Sequence, residues 1–331
     1  MTLFPNMGIT PDIRKIKLTS RATLGYLVVI IAATLEALRQ ILSKALLVPD
    51  GQIPTELNPV TISFFIFIII GLFFSPLTRK SSSIKTIRKK DLLFLTLIGI
   101  AESSALITYF FGLRDSTALN ASVLNNSELM FAILLAIIIF REKLQKMERI
   151  PSAMIISGMI ILPIGYDFYS NGITMSKVVF GDSLLLLAGL FWALDIVMSH
   201  HISSRVDSKR ITQLTSFLAG LFALCLILGF QIPFKIDIMH MSSIAIIGIV
   251  SIGMSNVLFI TGLKLIGAVR TILIYSINSA FGVIFAGVFL HENITMISIL
   301  SISIAFLGLY LLRNRLESGG QKFTVVNRSK T

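Results

Sequence analysis

Four acids and an arginine stand where an apolar chain tolerates them least. Glu36, Glu102, Glu128 and Asp195 each lie about ten to fifteen residues into a long hydrophobic run, and Arg39 follows Glu36 by one turn. At a helical rise of about 1.5 Å per residue, that depth is about 15 to 20 Å from the entry face, the middle of a bilayer. A charge there costs about 2.5 to 3.5 kcal/mol on insertion scales, so such residues face a protein interior or water and mark a pathway. The plain alternative for each is a buried ion pair or hydrogen bond. The i, i+3 spacing lets Glu36 pair with Arg39, which leaves Glu102, Glu128 and Asp195 without a midplane cation. Each of the three then either carries a proton or meets a cationic group on a substrate.

These residues need helices to hold them in register. Ala121, Asn125, Glu128, Ala132 and Ala136 step by four, three, four and four, and so share one helical face. Thr271, Tyr275, Asn278, Gly282 and Ala286 repeat that stripe later in the chain. Small residues beside a polar one make a packing seam, a cavity wall, or both. Two further runs align at an offset of 156, which sets Ala32, Glu36, Arg39 and Ser43 over Ala188, Trp192, Asp195 and Ser199. Glu102 and Tyr109 are co-facial in another run, whose counterpart offers Ser251, Ser255 and Asn256. The candidate cavity residues are therefore Glu36, Arg39, Glu102, Tyr109, Asn125, Glu128, Trp192, Asp195, Asn256, Tyr275 and Asn278. Tyr109 and Trp192 have packing as their commoner role.

The stripes belong to an internal duplication. Residues 112–162 return 150 positions later, at 262–312, and Gly112, Ala118, Phe131, Glu142, Gly158 and Leu162 fall without a gap on Gly262, Ala268, Phe281, Glu292, Gly308 and Leu312. Each copy holds two apolar stretches joined by a polar turn, Phe140 to Leu144 or Leu290 to Ile294. Weak internal symmetry of this kind marks transporter folds.

With 54% hydrophobic and 14% charged residues, the chain is no soluble globule. Apolar runs at 24–47, 59–77, 92–111, 117–140, 149–166, 182–201, 211–230, 242–262, 268–290 and 295–312 are long enough to span a bilayer. The expected fold is all-α and integral to the membrane, with ten transmembrane helices as two inverted five-helix repeats. In domain terms these are an N-terminal segment 1–23, repeats 24–166 and 181–312, and a disordered tail 313–331, with the seam at 167–180. Lys and Arg crowd one set of loops, including Arg14 to Arg21, Arg79 to Lys90 and Arg141 to Arg149; the other side has Arg114, Lys177 and Lys235. The positive-inside rule then puts both termini in the cytoplasm of a multi-pass plasma-membrane protein. Five spans being odd, the Glu142 turn faces the cytoplasm and the Glu292 turn the outside.

Several chemistries are disfavoured. Cys225 is a lone cysteine, which allows no internal disulfide and no cysteine-based metal centre. His200 and His201 cap the cytoplasmic end of a span, His240 and His291 sit in loops, and none has a catalytic partner nearby. Phosphate-cradling loops and nucleotide fingerprints are absent from the sequence, so no enzyme and no cofactor is expected. Nucleic acid is not an expected partner either, because the basic residues follow topology.

The two turns, Phe140-Arg141-Glu142-Lys143-Leu144 with Gly158 and Leu290-His291-Glu292-Asn293-Ile294 with Gly308, together with Phe191-Trp192-Ala193-Leu194, resemble the EamA type of the drug/metabolite transporter superfamily. The resemblance covers about 24–312. It departs where that family often has a mid-helix proline: here Leu129 follows Glu128, and the second copy has Asn278-Ser279. It implies a secondary transporter, an exporter or exchanger of a small polar metabolite such as an amino acid or amine. Its partners would be that substrate, protons as coupling ion, the lipid bilayer and, as one open assembly, a homodimer. Glu142 and Glu292, at the interfaces, are expected to be structural, accepting backbone N–H groups at the helix start that follows. Efflux of lipophilic cations stands as the second transport reading, and a non-transporting membrane scaffold or receptor as the reading from another class. Labelling of cysteines placed in the two turns, with Cys225 replaced by Ser, should find the turn around Glu142 inside and that around Glu292 outside; labelling of both from one face excludes inverted repeats.

Overall fold

The computed structural model of the chain describes residues 13–48, 57–78, 88–128, 177–203 and 205–294, with scattered positions within 130–157 and 296–311. All regular structure among the described residues is helical. The elements are α1 (Ile13–Leu47), α2 (Pro59–Leu77), α3 (Lys89–Asp115), α4 (Ala118–Leu124), α5 (Lys177–Ser203), α6 (Ser208–Gly229), α7 (Ile238–Ile246), a π-helical stretch (Ile247–Met254), α8 (Ser255–Ile266), α9 (Ala268–Tyr275) and α10 (Asn278–Phe289). Among the described residues, six stretches are long and apolar enough to cross a membrane: Thr23–Leu47, Pro59–Leu77, Lys89–Asp115, Phe180–Ser203, Ser208–Gly229 and Ile238–Ile266. Asn278–Phe289 is a shorter apolar helix. Glu142, Gly158, Ala132, Ala136, the linker before Lys177 and the tail lie outside the described residues, as does much of the fifth and tenth expected spans.

The start of α2 shows how local chemistry sets a boundary. The Asn58 side chain accepts from the Val60 N–H at 2.9 Å, and Pro59 takes the first helical position, where a missing N–H costs nothing. Elsewhere, helices run on beyond the expected spans, whose membrane-crossing parts, Thr23–Leu47 and Phe180–Ser203, lie close to 24–47 and 182–201. Helix α1 begins at Ile13 rather than 24, because neither glycine nor proline interrupts 12–24, and α5 begins at Lys177 rather than 182. His240 lies in α7, where the Asp237 side chain accepts from the Met239 N–H, and not in a loop.

Larger corrections concern the fourth and ninth expected spans, which are not continuous. After α4 the chain turns at Asn125–Asn126, and after α9 at Ser276–Ile277, one residue past the positions that correspond at the offset of 150. Bonds three residues apart replace the helical ladder: Asn126 N to Val123 O at 3.2 Å, Glu128 N to Asn125 O at 3.3 Å, Ile277 N to Ile274 O at 3.1 Å and Ser279 N to Ser276 O at 3.2 Å. Asn and Ser compete for backbone groups and so favour such interruptions without proline. The eighth expected span likewise contains the π-helical stretch, a local widening found mostly at functional sites.

Helix pairing follows the duplication. Extensive contacts join α3 to α5 and to α6, α2 to α6, and α1 to the π-helical stretch and α8, with α10 lying against α1 and α4. Exchanging the halves turns α3–α5 into α8–α1 and maps α2–α6 onto itself, as a pseudo-two-fold axis requires. Individual glycines obey the same relation. Gly112 lies against Gly181 and Leu185, and its repeat Gly262 against Val29, the counterpart of Leu185. Gly181 lies against Asp115 and Ser116, and its counterpart Gly25 against Leu265 and Ile266.

Backbone contact is what these glycines permit. A Cβ on Gly112 would stand 2.7 Å from the Gly181 carbonyl oxygen, whereas one on Gly229 would meet nothing within 4 Å. Replacing Gly112 by Val should therefore cost about 1 to 3 kcal/mol through overpacking. Melting temperature in detergent should fall for Gly112→Val and hold for Gly229→Val.

Candidate functional site

Arg39 organises the centre of the molecule. Its Nε donates to Glu36 Oε1 at 2.6 Å, and its Nη2 pairs with the same oxygen and donates to Asn125 Oδ1 at 3.2 Å. The guanidinium carbon lies 4.1 Å from the Tyr109 ring centroid and 4.5 Å from that of Trp192. Arginine between two aromatic faces gains cation–π attraction that a lysine would meet less well. Only 2% of Arg39 is exposed, and its Nη1 has no partner among the described residues.

Beside it opens a cavity of about 80 Å³ lined by Glu36, Arg39, Glu102, Glu128, Trp192, Asp195, Asn256 and Tyr275. Phe67, Leu106, Ile196, Ile252 and Phe259 complete its walls. On the scale on which one water needs about 10 to 15 Å³, this is room for about five to eight waters. Glu102 Oε1 accepts from Asn256 Nδ2 at 3.3 Å, while Oε2 is buried without a partner among the described residues. Asp195 accepts from Ser199 Oγ at 2.7 Å. The Tyr275 hydroxyl lies 3.3 Å from Ser255 Oγ, and its ring centroid is 4.7 Å from that of Phe259.

Eight of the expected cavity residues line it; three do not. Tyr109 and Asn125 stand behind Arg39 and hold it. Asn278 is fully buried off the cavity, accepting from Ser279 Oγ at 3.2 Å. Both helix interruptions adjoin the site, since Glu128 follows one and Tyr275 precedes the other. The π-helical stretch ends two residues before Asn256. The apolar walls escaped the sequence reading, because nothing distinguishes Phe67 or Phe259 from a lipid-facing phenylalanine in one dimension.

A polar knot holds the Arg39 side of the site together, around the corner between α3 and α4. Lys44 Nζ donates to the Leu113 carbonyl at 3.0 Å and to that of Ser116. Ser116 Oγ and Asn120 Nδ2 both donate to Asp182, the latter at 3.0 Å. Among the described residues Glu292 caps a different helix from the one that follows it: its two oxygens accept from the Ala118 and Leu119 N–H groups, each at 2.8 Å. A carboxylate from the second copy thus caps the first turn of α4, where free N–H groups and the helix dipole favour it. Its partner is 174 residues away, which no local motif reveals. Gly308, in the partly described last span, is buried.

Comparison with known proteins adds a separate line. The model of the EamA-like transporter family matches residues 23–163 and 179–314. A protein of Methanothermobacter thermautotrophicus named "uncharacterized transporter" is 29% identical over 302 residues, covering 87% of this chain and 85% of its own. One of the same name from Clostridium kluyveri is 23% identical over 292 residues, with 86% and 91% covered. A solved structure described as "Crystal structure of protein" aligns with a TM-score of 0.59 at 16% identity over 89% of this chain and 97% of the other, a likeness of fold alone.

The Glu36–Arg39 pair should behave as a buried ion pair. Removing one partner strands a charge and costs about 3 to 5 kcal/mol, whereas replacing both costs little. Thermal unfolding in detergent should therefore show Glu36→Leu well below the double replacement Glu36→Leu with Arg39→Met.

Proposed function

Because the chain belongs to the EamA-like transporter family, within the drug/metabolite transporter superfamily, we propose that it is a secondary carrier of a small polar metabolite, an amino acid or amine. The metabolite would be exported or exchanged by alternating access. The observation that carries this reading is the cavity itself, in which four acids and one arginine face a volume of about 80 Å³. Lipophilic-cation efflux asks for a large aromatic chamber, and this one is small and charged. A scaffold or receptor has no need of such a chamber at midplane depth.

In this proposal ten spans form two inverted halves in the plasma membrane, with both termini in the cytoplasm and the turn around Glu292 outside. Extensive packing runs between the halves, α3 with α5 and α1 with the π-helical stretch and α8. The bodies that move are then these crossed pairs rather than the sequence halves, and the interruptions at Asn125–Asn126 and Ser276–Ile277 supply the bending points. Discontinuous helices at corresponding positions are the usual place of a midplane site. Protons serve as coupling ion through Glu102 and Glu128.

Counterflow in reconstituted vesicles tests the reading. Wild-type protein should show saturable, trans-stimulated uptake of labelled amino acid or amine, and Glu102→Gln with Glu128→Gln should lower it by at least about tenfold, as loss of a buried charge contact predicts. Unchanged flux and pH dependence in the double variant would sink the role given to these acids. No trans-stimulated flux from folded wild type would leave the scaffold reading in its place.

A further inference from the structure

The walls of the cavity are rich in hydrogen-bond acceptors and poor in donors. Of the described residues that line it, Arg39 is the one that is basic, and it spends its Nε and Nη2 on Glu36 and Asn125, while its Nη1 is buried. Cations on the surrounding helices are engaged with the protein: Lys44 with the carbonyls of Leu113 and Ser116, Arg210 with Gln213 and the Thr78 carbonyl, and Lys264 with the Val206 carbonyl. The Asn256 amide is given to Glu102 at 3.3 Å. Little is left in the wall to meet a carboxylate, which would also face three of its own kind.

Acceptors are in surplus. Glu36 is neutralised by Arg39, which leaves Glu102, Glu128 and Asp195 facing the space without a cation among the described residues. No described donor reaches the Glu128 carboxylate, and Ser199 meets a single oxygen of Asp195. An acid at midplane depth holds either a proton or a cation. The volume of about 80 Å³, which admits about five to eight waters, admits an aliphatic ligand of about as many non-hydrogen atoms and excludes a polycyclic one. Phe67, Ile252 and Phe259 offer apolar walls to its methylene groups.

We propose that the ligand of this cavity is a compact aliphatic amine that carries positive charge and no carboxylate, its ammonium held among Glu102, Glu128 and Asp195. Charge-assisted N–H···O bonds from the ammonium supply the donors that the wall lacks. The proposal rests on the carrier reading above in calling this ligand the substrate, and it narrows the amino acid or amine of that reading to the amine.

The test reads binding and transport separately. Trp192 is the one tryptophan of the chain and stands in the cavity wall, so its fluorescence reports the site in full-length protein in detergent. Three probes share a four-carbon frame and differ only at their ends: 1,4-diaminobutane, 4-aminobutanoate and 1,4-butanediol. The diamine should bind at least about tenfold more tightly than either of the others, as one charge-assisted hydrogen bond predicts, with equilibrium dialysis of the labelled diamine as a second readout. Glu128→Gln with Asp195→Asn, shown to be folded by its melting curve, should lower that affinity at least about tenfold. Equal or tighter binding of aminobutanoate or butanediol overturns the proposal, as does an unchanged affinity in the folded double variant. Labelled amino-acid counterflow with no diamine binding in dialysis overturns it and leaves the carrier reading intact. Diamine binding with no trans-stimulated flux of labelled diamine or amino acid upholds it for the cavity and overturns the carrier reading instead.

Discussion

A guanidinium held away from water is the constraint from which the centre of this molecule follows. Arg39 costs too much at midplane depth unless its charge and its N–H groups are met. They are met from four helices: Glu36 one turn earlier on α1, the Tyr109 face from α3, the Asn125 carbonyl oxygen at the end of α4 and the Trp192 face from α5. Two of these carry aromatic rings that exclude water while adding attraction. Four helix positions are thereby tied to one planar group, and the nitrogen left over is the one without a partner.

The two ends of α3 are held differently. Past Tyr109, Lys44, Asp182 and Glu292 gather the corner at 113–120 into one network drawn from both copies. At the positions equivalent to Lys44 and Asp182 the duplication has His200 and Tyr26, which bring neither the same cation nor the same carboxylate. At the other end of α3 the tie is the ion pair of Arg205 with Asp91 at 2.9 Å, whose arginine is 37% exposed. Exposed pairs contribute little, about 0 to 1 kcal/mol. That end of α3 is held mainly by apolar packing, Leu95 and Ile98 lying in one buried cluster with Ile196, Ile202 and Ile211.

What could be read in one dimension was whatever repeats at helical or duplicate spacing. The register of 112–162 on 262–312, the i, i+3 pair of Glu36 with Arg39, and the co-facial acids all depend on spacing, and the coordinates place the pair and the acids accordingly. The interruption at Asn125–Asn126 did not show, because a stripe stepping by four and three passes through it without a break; the run Asn125-Asn126-Ser127 was its sole local signal. The π-helical stretch is written in Ile, Gly and Val, which bias no particular helical winding strongly enough to be seen. Glu292 misled for the opposite reason: its chemistry as a cap was legible, but its partner was chosen by tertiary packing.

Duplication also explains why a nearly symmetric scaffold holds an oriented site. Pairing the lining positions by repeat offset sets Glu36 against Trp192, Arg39 against Asp195, Glu102 against Ile252 and Leu106 against Asn256. The paired positions differ in character, charge against ring, cation against anion, acid against alkane and alkane against amide. Two identical chains meeting about the same axis would present the same groups to both ends of a ligand, and could favour only a solute that is itself indifferent to direction. Fusing the copies frees each position to diverge. The duplication is kept in the glycine contacts, while the side chains place Arg39 in one copy and Asp195 at the matching position of the other. The chamber therefore sets unlike groups at positions that the duplication makes equivalent, a paired cation at one and an anion at the other, and so has a direction that its scaffold lacks.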